Sequence, residues 1–125
     1  MRMHLRGNGF TIIELIVVIV AIAVLASISV FGYSSWRLRT ARTEVKNELM
    51  NASLALQQNV NLTNTYPASN SLASIYTPRA AVSLTYTLRT GGESYCLIGQ
   101  SMKISSVTYY VDSTKGNEPI TTVCS

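Results

Sequence analysis

The sequence predicts an α+β fold: a long N-terminal α-helix, transmembrane over its first half, whose second half packs on a small antiparallel β-sheet. Three observations carry that expectation. Phe10 to Tyr33 is almost wholly apolar and holds one charge, Glu14. From Leu38 to Val60 apolar residues recur at steps of three and four, which lays them on one helix face. From Val82 the period turns to two, the spacing of a half-buried strand. A chain of 125 residues is expected to form one domain at most.

The head, Met1 to Asn8, is short and basic through Arg2 and Arg6, and leads to Gly9. The apolar run that follows rises about 1.5 Å per helical residue, enough to cross about 30 Å of hydrocarbon. An acid at mid-bilayer costs on the order of 3 kcal/mol or more, so an acid in this run points to function. One account places Glu14 about one turn from the basic flank, where its carboxylate snorkels to the headgroups. The other cuts the chain after Gly9. Phe10 then carries a free α-amine, and the ammonium can pair with Glu14 of a neighbouring copy where low dielectric makes each charge costly alone. Two rivals remain for the head. An ordinary secretory signal could use the A-x-A site Ala21-Ile22-Ala23, but the apolar run exceeds the usual apolar core of about 7–15 residues and Glu14 interrupts it. The second rival is an uncleaved single-pass anchor. The N-terminus of the working chain separates the three: Phe10, a residue near Val24, or Met1.

Past the apolar run stand Arg37, Arg39 and Arg42, which read as a solvated helix face or a membrane-surface anchor. The formal net charge of +4 is too mild to argue for nucleic acid. Leu38, Ala41, Val45, Leu49, Ala52, Leu56 and Val60 form the stripe expected to meet a covering layer. Gly32 costs about 1 kcal/mol in a helix interior and does not end the element. Asn61 to Pro78 reads as a connecting loop, with Tyr66-Pro67 and Thr77-Pro78 as breakers and a short helical turn around Asn70 to Ile75. Val82, Leu84, Tyr86 and Leu88 alternate with polar residues, and Gly91-Gly92 supplies a turn. Ser94 to Gln100 is the partner strand. Val107, Tyr109 and Val111 mark a third, Asp112 to Asn117 a polar turn, and Ile120 to Cys124 a fourth, short strand that Pro119 would begin.

Gly9-Phe10-Thr11-Ile12-Ile13-Glu14-Leu15, followed by Ile16 to Ile22, resembles the type III signal peptide of type IV prepilins and the related pseudopilins of type II secretion. The close match covers about residues 6 to 35; the remainder matches in layout. The resemblance implies a pilin-like fold divided into a leader (1–9), a transmembrane and assembly helix (10–36), its amphipathic continuation (37–60), an αβ-loop (61–81) and a sheet with a C-terminal disulfide loop (82–125). It implies a membrane-bound prepilin peptidase that cuts after Gly9 and methylates Phe10, and a Glu14 that pairs with the N-terminus of a neighbour. It implies a precursor spanning the cytoplasmic membrane once, an assembly ATPase and platform, and a homo-oligomeric helical filament outside that membrane. Many relatives carry a proline late in the apolar helix, where this chain has Phe31-Gly32. Cys96 and Cys124 can oxidise outside the cytoplasm, and relatives often have such a C-terminal bridge.

Catalysis is poorly served. The only histidine, His4, lies in the head expected to be removed, so neither a Ser-His-Asp nor a Cys-His set survives processing. Glu44 and Glu48 stand four apart and read as a solvated face beside Arg42 and Lys46 rather than an acid–base or metal pair. Cys96 and Cys124 have neither C-x-x-C spacing nor a histidine nearby in sequence, so no metal or other cofactor is expected. Asn51-Ala52-Ser53 and Asn61-Leu62-Thr63 match the glycosylation pattern, which is common by chance. Three functions therefore stay open: a pilus subunit; a pseudopilin of a secretion or DNA-uptake machine; and a membrane-anchored binding module that does not polymerise. Nucleic-acid binding by the filament is a minor option.

Overall fold

The computed structural model describes residues 7–125. Arg2, His4 and Arg6 lie outside the described residues. The elements run α1 (Ile12–Thr63), α2 (Leu72–Ile75), β1 (Val82–Leu88), β2 (Tyr95–Ser101) and β3 (Thr108–Asp112). This is the expected α+β arrangement, and the chain forms two compact units, Met1–Trp36 and Arg37–Ser125.

In the first unit the helix covers itself with apolar side chains on every side. Its large residues remain exposed, from 50% at Ile16 to 79% at Phe31. Phe31 and Gly32 are both helical. Hydroxyls along the apolar run bond back to their own helix: Ser27 Oγ donates to Ala23 O and Ser29 Oγ to Leu25 O, each at 2.8 Å. That internal pairing is what an apolar solvent demands of a polar group.

The second unit holds the core. Its sheet is an antiparallel meander in the order β1-β2-β3, so β2 is the central strand. Gly91 and Gly92, at φ 102° and 74°, turn β1 into β2 in a backbone region that disfavours side chains. Most of the sequence stripe is the buried face of α1: Ala41, Val45, Leu49, Ala52 and Leu56 join Leu97 and Val111 in one cluster, with Leu38 packed at its margin, whereas Val60 is only half-buried and lines an open cleft. The helix lies so close to β2 that a Cβ on Gly99 would sit 2.8 Å from Leu49 Cγ and 3.0 Å from Val45 Cγ1. Glycine at this strand position is thus a packing requirement.

Tyr95, fully buried, joins helix, sheet and C-terminal loop. Its hydroxyl lies 3.2 Å from Ser53 Oγ on α1 and 3.1 Å from Asn117 Oδ1, and its ring packs against those of Tyr66 and Tyr86. Burial pushes the Tyr95 phenol up, and pushes Tyr86 up to about 12, with the neighbouring Tyr95 adding to the effect. Cys96 and Cys124 form a disulfide with Cα atoms 6.1 Å apart and a sequence separation of 28. Closing a loop of that size stabilises by about 3–4 kcal/mol in the chain-entropy account.

Four expectations need correction. The helix runs to Thr63, past the expected end at Val60. Glu48 is not on a solvated face. It is buried, accepts a 2.6 Å hydrogen bond from the Tyr76 hydroxyl and one from the Arg79 N–H, and lies 3.6 Å from Arg79 Nε. Asp112 opens the expected polar turn, but it is not solvated. Its fully buried carboxylate accepts from Thr114 Oγ1 at 2.7 Å and Arg89 Nη2 at 2.9 Å. The Thr114 hydrogen bonds, with Arg89, hold that carboxyl below its ordinary range despite the burial that opposes them. Finally, Ile120 to Cys124 makes no fourth strand: Ile120 forms a single bridge to Tyr110. The disulfide gives the reason. Cys96 sits on the central strand, so the tail must leave the edge of β3 to reach it.

Two predictions follow from this packing. Gly99→Ala forces Val45 and Leu49 aside and should lower stability by about 1–3 kcal/mol, the usual cost of overpacking; chemical denaturation of the detergent-solubilised chain measures it. The phenols set an alkaline limit. Unfolded tyrosine ionises near pH 10, whereas the folded Tyr86 phenol holds its proton to about 12. The stability this contributes is therefore complete below about pH 10 and lost as pH rises toward 12. Denaturation midpoints should fall across that window, and Tyr86→Phe should shallow the decline.

Candidate assembly and processing site

The site predicted from sequence comprises Gly9, Phe10 and Glu14 at the start of α1. Gly9 and Phe10 precede the helix in irregular backbone, both exposed, with Phe10 at 91%. Such a segment presents its peptide bond without unwinding any helical turn. The chain becomes helical at Ile12 because Thr11 caps it. The Thr11 hydroxyl accepts from the Glu14 N–H at 3.2 Å, while Glu14 Oε2 accepts from the Thr11 N–H at 2.9 Å and the Thr11 hydroxyl at 3.0 Å. This reciprocal pairing is a capping box; it satisfies two of the donors that every helix start leaves open.

Glu14 therefore has a partner inside its own chain, which sequence reasoning missed. The signal was present: Thr11-x-x-Glu14 ahead of an apolar run is the capping-box pattern. The carboxylate also sits at the positive end of the helix dipole. Hydrogen bonds lower the cost of the charge but do not neutralise it. Among the described residues, Glu14 Oε1 accepts no hydrogen bond and no cation pairs with the carboxylate. Phe10, Ile13, Glu14, Leu15, Val17 and Val18 line one open cleft of about 620 Å³, so the acid faces a surroundings of apolar side chains.

The structure brings Phe10 and Glu14 to one side of the helix start, and places the disulfide pair, Cys96 and Cys124, in the second unit. Among the described residues no three His, Cys, Asp or Glu side chains gather as metal ligands would. Both glycosylation patterns fall in α1, and Ser53 of the first is buried against Tyr95. Within α1 lies one stretch long and apolar enough to cross a membrane.

No curated protein and no solved structure matches the chain. Residues 6–30 do match the family model of the prokaryotic N-terminal methylation motif. That span contains the exposed Gly9-Phe10 bond, the capping box and the first turns of the apolar helix. It is the signal of a prepilin peptidase substrate held in the membrane, and it supports assignment of the chain to the family of type IV pilins and pseudopilins.

Proposed function

We propose that the chain is a structural subunit of a type IV pilus-like filament, cut after Gly9, methylated at the Phe10 amine, and polymerised through the apolar part of α1. The observation that carries this reading is a helix apolar on every side that keeps one capped carboxylate at its start. Before processing, the head holds the chain in the cytoplasmic membrane and Thr11 satisfies Glu14 locally. Hydrolysis of the Gly9–Phe10 bond leaves an ammonium on Phe10 beside the cap. In a bundle of such helices Glu14 Oε1 can then receive the Phe10 ammonium of a neighbouring copy without surrendering the bonds that Oε2 accepts from Thr11. An unpaired carboxylate inside the bundle would cost several kcal/mol, and a paired one far less. The pair therefore fixes axial register.

A pseudopilin of a secretion or DNA-uptake system would use the same parts to build a shorter fibre. Electron microscopy of the cell surface distinguishes the two. A binding module that stays monomeric would keep its head.

Intact mass and N-terminal sequencing of the mature chain should give N-methylated Phe10 as the first residue, with the Cys96–Cys124 bridge closed. A chain beginning at Met1 or near Val24 rules the reading out. Glu14→Gln separates the cap from the ion pair, because glutamine at this position still completes a capping box but carries no charge. It should leave a folded, processed membrane protein that assembles as poorly as Glu14→Ala. Normal filament yield from Glu14→Gln would reduce Glu14 to a capping residue.

A further inference from the structure

The second unit is electrically polar along α1. Several of its charges are engaged within the chain: Glu44 with Lys103, Glu48 with Arg79, and Asp112 with both Arg89 and Lys115. Lys46 lies over the Tyr109 ring. Asp112 carries one charge against two cations, so one positive charge remains beside it; the charges with no ion-pair partner among the described residues are segregated. Arg39 and Arg42 are exposed near the start of the unit, and neither has an ion-pair partner among the described residues. Glu93 and Glu118 are likewise exposed and unpaired.

Both acids lie toward the other end. Glu93 shares a cleft of about 440 Å³ with Val60, Asn64 and Tyr66 at the close of α1 and with the Gly91-Gly92 turn. Glu118 follows Asn117, whose Oδ1 meets the Tyr95 hydroxyl beside Ser53 and Tyr66. The helix adds to the same asymmetry, because its C-terminus carries partial negative charge and its last turn holds no basic residue. From Arg39 to Thr63 the rise of an α-helix is about 36 Å.

We propose that this acidic end is the docking surface for the Arg39–Arg42 end of a second copy, stacked head to tail in the same orientation. The inference rests on the filament reading and names the contact between its solvent-facing units. Charge complementarity commits the surface to its own kind. A like-oriented copy displaced along the helix by about that separation brings guanidinium groups to Glu93 and Glu118, whereas an inverted copy sets acid on acid. Such a contact is heterologous, uses a different patch on each partner, and so propagates instead of closing. Exposed pairs of this kind are screened by salt over about 8–10 Å, so they select orientation and register more than they hold the fibre together.

Charge reversal in the full chain tests this. Glu93→Arg with Glu118→Arg should lower filament yield at least several-fold at low salt, and so should Arg39→Glu with Arg42→Glu; melting temperatures should match wild type, since all four side chains are exposed. Combining all four reversals in one chain should restore filaments. That rescue is decisive, because an arginine pair that serves only to anchor the precursor at the membrane would not be rescued by changing Glu93 and Glu118. Unchanged yield in both double variants, or no rescue in the fourfold variant, overturns the docking surface while wild-type filaments keep the filament reading intact. A wild-type chain that is processed yet forms no filaments overturns both.

Discussion

One carboxylate at the mouth of an apolar helix constrains everything N-terminal to Arg37. A helix of this composition is at home in hydrocarbon, and Glu14 is the one group in it that is not. The capping box lowers that cost within the chain by giving Oε2 two donors from Thr11. It leaves the net charge in place. The capped helix start thus still carries a charge that attracts a cation. Processing at Gly9 would place such a cation within a turn of it. Capping and the proposed pairing would not compete, because they would draw on different oxygens of the same carboxylate.

The second unit is built on a separate constraint, the close approach of α1 to β2 at Gly99. Three strands alone would expose the inner face of the sheet; the stripe from Ala41 to Leu56 covers it and supplies about half of the buried cluster. The helix is thus part of the core of the second unit. Local unwinding between Ala41 and Leu56 would open the core, which confines any pliability of α1 to stretches without such contacts. The disulfide extends the same economy to the tail, which is held by Cys124 and one bridge at Ile120 instead of a strand of its own.

Much of this was legible in the sequence because each element announces itself by a period. The apolar run, the stripe from Leu38 to Val60 and the alternation from Val82 to Leu88 are signals of pattern, and pattern survives without knowledge of the partner surface. The buried acids were not legible for the converse reason. Glu48 and Asp112 look like any surface carboxylate until Tyr76, Arg79, Arg89 and Thr114 are seen to converge on them from distant or looped segments. Two glutamates four positions apart signal a shared helix face, but which faces meet the sheet depends on how deeply the helix settles, and the close approach at Gly99 sets that depth. The fourth strand failed because a sequence pattern cannot weigh a crosslink against an edge. At the helix start Thr11-x-x-Glu14 carries the capping-box pattern, so the intramolecular partner of Glu14 is legible in the sequence itself.

In the proposed filament the two units would meet the problem of assembly by different physics. Moving the apolar helix from lipid into a bundle of its own kind gains little from the hydrophobic effect, because hydrocarbon surrounds it in both places. What remains is close packing and directional polar contact. Ala21, Ala23, Ala26 and Gly32 offer the small side chains that let helices approach, and they do so without regard to register. In the proposed filament register would then come from charge: Glu14 in the apolar layer, where low dielectric makes a mismatch costly, and the segregated arginines and glutamates of the second unit, where water and salt make it mild. A strong selector buried in the apolar layer combined with a weak one exposed to solvent would give an encounter that is steered first and locked afterwards. Packing of a uniformly apolar helix tolerates sliding and exposed ion pairs tolerate exchange, so in the proposed filament the Glu14 pair would set the register and the outer charges would favour its orientation.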